Sequence, residues 1–164
     1  MKKKLIIVNG APGIGKTITC RELQRLLGKS VWLDGDWCWM TNPWIVTEET
    51  KRMAEDNIAF LLDNFLKCSE YKYVLFSWIF RSDEVFNHIL ERLQETNFVL
   101  QKFTLTCNEN TFKDRLEAAG REKNKIAGCL ESLHSCDVTD SLKIDTTQKS
   151  IELVARIIHD RIKS

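Results

Sequence analysis

The sequence predicts an α/β fold in which helices cover both faces of a parallel sheet, and three observations carry that expectation. Short apolar runs alternate along the chain with longer stretches whose apolar residues recur at helical spacing. Runs such as Leu5–Val8 and Tyr73–Phe76 are apolar without interruption, as strands buried on both faces are. Seven glycines and two prolines in 164 residues leave no long linker and no internal boundary. With 43% hydrophobic residues, one domain over residues 1–164 is expected, because two domains would hold about 80 residues each, below the usual size.

Each element follows from its pattern. Leu5–Asn9 reads as the first strand, and a helix from about Gly15 to Leu27 places Cys20, Leu23 and Leu27 on one stripe. Val31–Leu33 is the second strand. A loop rich in tryptophan follows, then a helix over Glu48–Lys67 with Ala54, Ile58, Leu61, Leu62 and Phe65 at helical spacing. Tyr73–Phe76 is a third, buried strand. Ser82 can cap the next helix, whose first turn carries Asp83 and Glu84 where the dipole favours them. That helix is expected to bury Val85, Phe86, Ile89, Leu90 and Leu93. Val99–Thr106 is the fourth strand, and Asn108 caps a short helix carrying Phe112 and Leu116. After the charged stretch Ala118–Lys125, Ile126, Cys129, Leu130 and Leu133 mark another helix. Leu142–Ile144 is the fifth strand, and Ile151, Val154, Ala155, Ile158 and Ile162 stripe the last helix. Ligands of such sheets sit beyond the carboxyl ends of the strands, which directs attention to Asn9–Thr17, Asp34–Trp44, Ser77–Arg81 and the residues after Asp145.

Composition excludes several classes. Twenty-four Lys and Arg against 23 Asp and Glu give a net charge of +1, so no global field favours a nucleic-acid polymer or an anionic membrane. The apolar runs are too short to span a bilayer. Lys2–Lys4 precede four apolar residues, Leu5–Val8, where a secretory leader needs roughly 7–15, so a cytoplasmic protein is expected. The six cysteines and three histidines are scattered without the paired spacing of a zinc site.

Gly10-Ala11-Pro12-Gly13-Ile14-Gly15-Lys16-Thr17 fits G-x-x-x-x-G-K-[ST] in full, after the first strand and at the start of the first helix. Glycines let successive backbone N–H groups converge on phosphate oxygens, and the helix beginning there adds its positive end. Lys16 can reach the β- and γ-phosphates, and the Thr17 hydroxyl can ligate Mg²⁺. The nucleotide-binding stretch is therefore read as residues 10–18, ending at Ile18. Loop and alternation together predict a three-layer α/β/α P-loop nucleoside triphosphate hydrolase fold with a five-stranded parallel sheet, and the charged stretch over about residues 118–126 is a candidate for a short lid.

A GTPase needs Asn-Lys-x-Asp, but Asn124-Lys125 is followed by Ile126-Ala127. Large motor and AAA ATPases need more chain. The small-kinase layout remains, in which the second strand ends in acidic residues that meet the acceptor. Here it runs into Asp34-Gly35-Asp36. One carboxylate can hold Mg²⁺ through water while the other orients and deprotonates a hydroxyl; the plainer alternative is an acidic turn.

With this loop, the acidic pair and the later arginines, the chain resembles the P-loop small-molecule and nucleotide kinases, a group that includes the gluconate, shikimate and adenylylsulfate kinases, chloramphenicol phosphotransferase and the tunicamycin-resistance protein. The resemblance covers nearly the whole chain, and Glu84–Leu116 is most similar to the last of these. It implies that Lys16 and Thr17 serve ATP and Mg²⁺, with Asp34 on the metal and Asp36 at the acceptor. It also implies that Arg115 and Arg121 embrace the phosphates and that the Ile144–Thr147 turn packs the adenine. The third strand ends in Ser77 where many relatives carry a carboxylate, and no His-Pro follows Asp36 as in gluconate kinases.

The segment Gly120–Lys125 can close as a lid or be an exposed charged loop, and Arg115 is the stronger candidate of the two arginines. Arg81 can bind an acidic or phosphorylated substrate or make a surface ion pair. Trp32, Trp37, Trp39 and Trp44 cluster around the acidic pair, either as a stacking pocket for a flat acceptor or as core, with Trp37 the expected pocket residue. The leading expectation is an ATP- and Mg²⁺-dependent kinase, monomeric or weakly dimeric, that phosphorylates a hydroxyl or phosphate of a small molecule or nucleotide. The rivals are a nucleotide-binding resistance or regulatory protein that sequesters its ligand, and a simple ATPase.

Overall fold

Five strands form one all-parallel sheet in the order β2-β3-β1-β4-β5: β1 (Lys3–Asn9), β2 (Ser30–Asp34), β3 (Tyr73–Trp78), β4 (Phe98–Thr106) and β5 (Leu142–Asp145). The computed structural model describes residues 2–164. Six α-helices connect and cover the strands: α1 (Lys16–Leu27), α2 (Glu48–Lys67), α3 (Asp83–Glu91), α4 (Glu109–Ala118), α5 (Lys123–Asp137) and α6 (Ile151–Lys163). The expected elements are all present, most of them a residue or two longer than the sequence pattern marks.

Alternation along the buried strands sorts the core into two layers. Ile6 and Val8 of β1 and Leu75 of β3 face α1, α4, α5 and α6, where they meet Cys20, Leu23, Phe112, Leu133 and Ile158. Leu5, Ile7, Val74 and Phe76 face α2 and α3, where they meet Ile58, Leu62, Phe86 and Ile89. Both faces are therefore apolar, which is why these strands read as unbroken hydrophobic runs. Among the described residues no helix is long and apolar enough to cross a membrane.

Helix starts divide by chemistry. Thr47 and Thr50 make a reciprocal capping box at α2, and Asn108 accepts from the N–H groups of Asn110 and Thr111 at α4. Ser82 stands at the N-cap of α3 but makes no capping bond with its side chain, contrary to expectation. Its neighbour Asp83 instead accepts from Lys102 Nζ at 3.2 Å and from the Asp140 N–H at 2.9 Å.

The crossover from β1 leads to β2 on one side of the sheet, and that from β3 leads to β4 on the other, so the switch point lies between β1 and β3. Asn9 fixes this point. Its Oδ1 accepts from Gly10 N at 2.7 Å and Phe80 N at 2.8 Å, while its Nδ2 donates to Phe80 O at 3.0 Å and to the hydroxyls of Thr104 and Thr139 at 3.3 Å each. One buried amide thus joins the ends of β1 and β3 to the end of α5. Asn9→Ala leaves two buried N–H groups without acceptors, so a loss of about 3 kcal/mol in unfolding free energy is expected, measured by urea denaturation.

Candidate active site

The loop between β1 and α1 has the backbone its glycines permit. Gly13 has φ 89° and Gly15 has φ 107°, both in the left-handed region. A Cβ at Gly13 would also lie 2.6 Å from Leu116 Cδ2, so this position is closed to larger residues by contact as well as by dihedral. Gly15 is the N-cap of α1, no side chain caps that helix, and its first turn holds no acidic residue. The free N–H groups and positive end of α1 therefore open on the cleft beside it.

That cleft has a volume of about 470 Å³, and Gly13, Lys16, Thr17, Asp34, Asp36, Trp78 and Arg121 are among the residues lining it. Lys16 lies across the loop and donates from Nζ to Gly10 O at 2.7 Å and Ala11 O at 3.1 Å. Burial holds its ammonium below the usual lysine range, opposed by the carboxylates of Asp36 and Asp34. Beneath it, burial pushes the Cys20 thiol up to about 12, so this group stays neutral.

The acidic pair divides between two settings. Asp34 is buried at the end of β2. Its Oδ2 accepts from Thr17 Oγ1 at 3.3 Å and Ser77 Oγ at 3.2 Å, and its Oδ1 from the Asp36 N–H at 3.2 Å. Asp36 is exposed in the 3₁₀ turn Gly35–Trp39 that follows, and Trp78 Nε1 donates to its Oδ1 at 3.2 Å. Gly35 makes this approach possible, since a Cβ there would lie 2.4 Å from Trp78 Cγ. The groups that face each other at Thr17 and Asp34 are oxygen donors, which suits Mg²⁺: that ion takes one or two carboxylates and completes its shell with water and phosphate.

A second cavity, of about 410 Å³, shares Gly13, Gly15 and Ile18 with the cleft and continues past the other side of the loop to Arg115, Thr146 and Ser150. Arg115 lines this second cavity and not the first. Its guanidinium donates to Thr146 O at 2.7 Å, Thr147 O at 2.9 Å and Thr146 Oγ1 at 3.2 Å, fixing the turn after β5. Arg121 lines the cleft instead, with Nη2 3.6 Å from the position a Cβ on Gly13 would take. The segment expected as a lid, 118–126, comprises the end of α4, a turn, and the start of α5. Gly120, at φ 72°, reverses the chain while Arg121 N bonds Leu116 O and Gly120 N bonds Glu117 O, which closes the helix and aims Arg121 at the loop.

The structure brings together Lys16, Thr17, Asp34, Asp36 and Arg121, along with Pro12, Gly13, Gly15 and Ile18. It does not bring Trp37 or Arg81 to the cleft lining. Trp37 packs on Trp32 at 4.8 Å between ring centroids and lines an outer groove with Phe60, on the far side of β2. Arg81 donates to Ser132 Oγ at 3.0 Å rather than pairing with a carboxylate. Trp32 and Trp39 are core residues, whereas Trp44 is exposed against Trp39. The tryptophan that reaches the site is the fifth one, Trp78. Its position directly after Ser77, at the carboxyl end of β3, is the sequence signal that marks it.

A family model described as an AAA domain matches residues 6–140. The chain belongs to this AAA domain family. Membership corrects the exclusion of AAA proteins by length, since this family's domain fits within the chain. None of the curated proteins matches it. The tunicamycin resistance protein of Deinococcus radiodurans is similar in structure, with a TM-score of 0.69 at 16% identity over 98% of this chain and 96% of that one. A gluconokinase from Sinorhizobium meliloti gives 0.68 at 17% identity over 97% and 93%, and the shikimate kinase of Aquifex aeolicus 0.63 at 17% over 97% and 96%. The fold is that of the P-loop kinases.

The two arginines are expected to separate in a binding assay. Arg115→Ala should weaken ATP about tenfold and leave inorganic tripolyphosphate nearly unchanged, whereas Arg121→Ala should weaken both. Titration calorimetry with the two ligands distinguishes a base-side role from a phosphate-side role.

Proposed function

We propose that the protein is an ATP- and Mg²⁺-dependent kinase that transfers the γ-phosphoryl group to a hydroxyl of a small molecule. The observation that carries this reading is that the uncapped start of α1, Lys16 and Asp36 open on one cleft. A triphosphate seated on the loop takes up the free N–H groups of α1, and its base side falls in the cavity beside Thr146 and Ser150. Lys16 exchanges its two carbonyl partners for phosphate oxygens, and Arg121 neutralises charge spreading over the transferring group. Thr17 and Asp34 would hold Mg²⁺, which supplies further charge neutralisation on the phosphates when bound. Asp36, oriented by the Trp78 indole, accepts the proton of the acceptor hydroxyl. Since phosphoryl transfer asks little covalent chemistry of the protein, positioning and charge stabilisation supply most of the rate.

The acceptor end of the cleft presents Asp34, Asp36, Trp78 and Ile79, while its cations, Lys16 and Arg121, stand at the phosphate end. This arrangement favours a neutral or cationic acceptor with an apolar face over a sugar acid or a nucleoside monophosphate. Like charges held about 4 Å apart cost several kcal/mol at the effective dielectric of such sites. Ser77, standing where many relatives carry a carboxylate, would by itself favour a protein that only sequesters its ligand. Its hydroxyl is bonded to Asp34, so the lack of a carboxylate there no longer favours that reading.

The test uses γ-labelled ATP and a panel of neutral, cationic and anionic hydroxyl compounds. Labelled product is expected from the neutral or cationic members, and Lys16→Ala should abolish it. Asp36→Asn should lower transfer by about 10²–10⁴ while leaving ATP affinity within about twofold. Full transfer by folded Asp36→Asn protein would remove Asp36 from the role of base.

A further inference from the structure

Asp34 is reached by a chain of side chains that the kinase reading does not use. The register of β2 and β3 pairs Asp34 with Ser77 and Trp32 with Leu75. Side chains two apart on a strand share a face, so Trp32, Asp34 and Ser77 all project toward α1, where Thr17 stands. Ser77 is fully buried and Trp32 is 9% exposed. Trp32 Nε1 donates to Ser77 Oγ at 3.0 Å, and Ser77 Oγ donates to Asp34 Oδ2 at 3.2 Å.

The direction of this chain is fixed by its first member. An indole N–H can only donate, so the Ser77 oxygen is the acceptor and its own proton remains free to be given away. The carboxylate that receives it takes the Thr17 hydroxyl on the same oxygen and the Asp36 N–H on the other. Three donors from three elements therefore set both the position and the rotation of one carboxyl group, and Ser77 is the only one of them polarised by a buried partner of its own.

We propose that Trp32 and Ser77 are positioning residues that aim Asp34 at Thr17 and thereby set how much Mg²⁺ strengthens nucleotide binding. The proposal rests on the kinase reading, in which Thr17 and Asp34 hold the metal. It assigns the serine at the end of β3 a task, in place of the direct charge a carboxylate there would bring. It also gives a reason for a tryptophan in β2 two residues before the acidic pair: a purely apolar residue could pack there but could not donate to Ser77.

The experiment measures ATP affinity by calorimetry with EDTA and with saturating Mg²⁺, for the unaltered protein, Ser77→Ala, Trp32→Phe and the double variant. In the unaltered protein Mg²⁺ should tighten binding. Each single variant should lose about tenfold of that gain, the size of a lost hydrogen bond to a charged group, with the Mg²⁺-free affinity within about twofold. The double variant should be no worse than Ser77→Ala, because the two residues act through one bond. A gain left intact in either single variant, or losses that multiply in the double, would overturn the relay. If Trp32→Phe does not fold, Ser77→Thr replaces it: keeping the hydroxyl should keep the gain, and losing it as fully as Ser77→Ala overturns the proposal. Failure of the unaltered protein to bind ATP at all overturns the kinase reading and the relay's task with it. Binding of ATP with no gain from Mg²⁺ overturns the relay alone.

Discussion

The start of α1 is a helix end that the protein leaves unsatisfied. Every helix has N–H groups in its first turn with no partner inside the helix, and α2 and α4 supply theirs with Thr and Asn side chains. At α1 the cap is a glycine in the left-handed region, with no side chain to offer and no acid in the first turn. The rest of the site is arranged around that deficit. Leu116 closes on Gly13, Asn9 holds the base of the loop, and Arg121 is brought over it by the turn at Gly120. An anion is what such an end lacks.

Charge in the cleft is sorted by strand order. The loop after β1 carries the ammonium and the helix end, and the end of β2, two positions away across β3, carries both carboxylates. β3 lies between them and contributes no charge, only the Ser77 hydroxyl and the Trp78 indole, each bonded to one aspartate. The middle strand thus acts on the acidic pair by orientation. One carboxylate is buried under three donors and turned toward Thr17, while the other is exposed and held by a single indole, which suits the first to a fixed task and the second to proton exchange with a ligand.

Much of this was legible in the sequence because the determinants are local. The phosphate loop is a contiguous motif, the acidic pair begins at the last residue of a strand, and the apolar runs and stripes give the order of elements. What escaped depends on where a side chain turns after its element ends. Arg115 and Arg121 lie close in sequence, but the Gly120 reversal separates them: the first, still in α4, reaches the carbonyls of the β5–α6 turn, and the second, past the reversal, meets the loop. Trp37 adjoins Asp36, yet the 3₁₀ turn sends the two in opposite directions, one to the cleft and one against Trp32 outside β2. Ser82 occupies a capping position without capping. Alternation predicts which side chains share a face along a strand, and that rule fails across a tight turn.

Lys16 shows how the loop tolerates its own charge. An ammonium this buried is costly without partners, and the protein supplies two carbonyl oxygens of the loop itself, from Gly10 and Ala11. These are neutral acceptors, weaker partners for a cation than a phosphate oxygen, and they belong to the loop the lysine must reach across in any case. The carboxylates of Asp34 and Asp36 are near enough to favour the charged form, yet they are engaged by Thr17, Ser77 and Trp78 and do not pair with it. Had Lys16 formed a salt bridge with either aspartate, a triphosphate would have to break an ion pair to gain one. By resting the ammonium on carbonyls and holding the carboxylates with neutral donors, the site keeps both charges free for a ligand that needs one at each end.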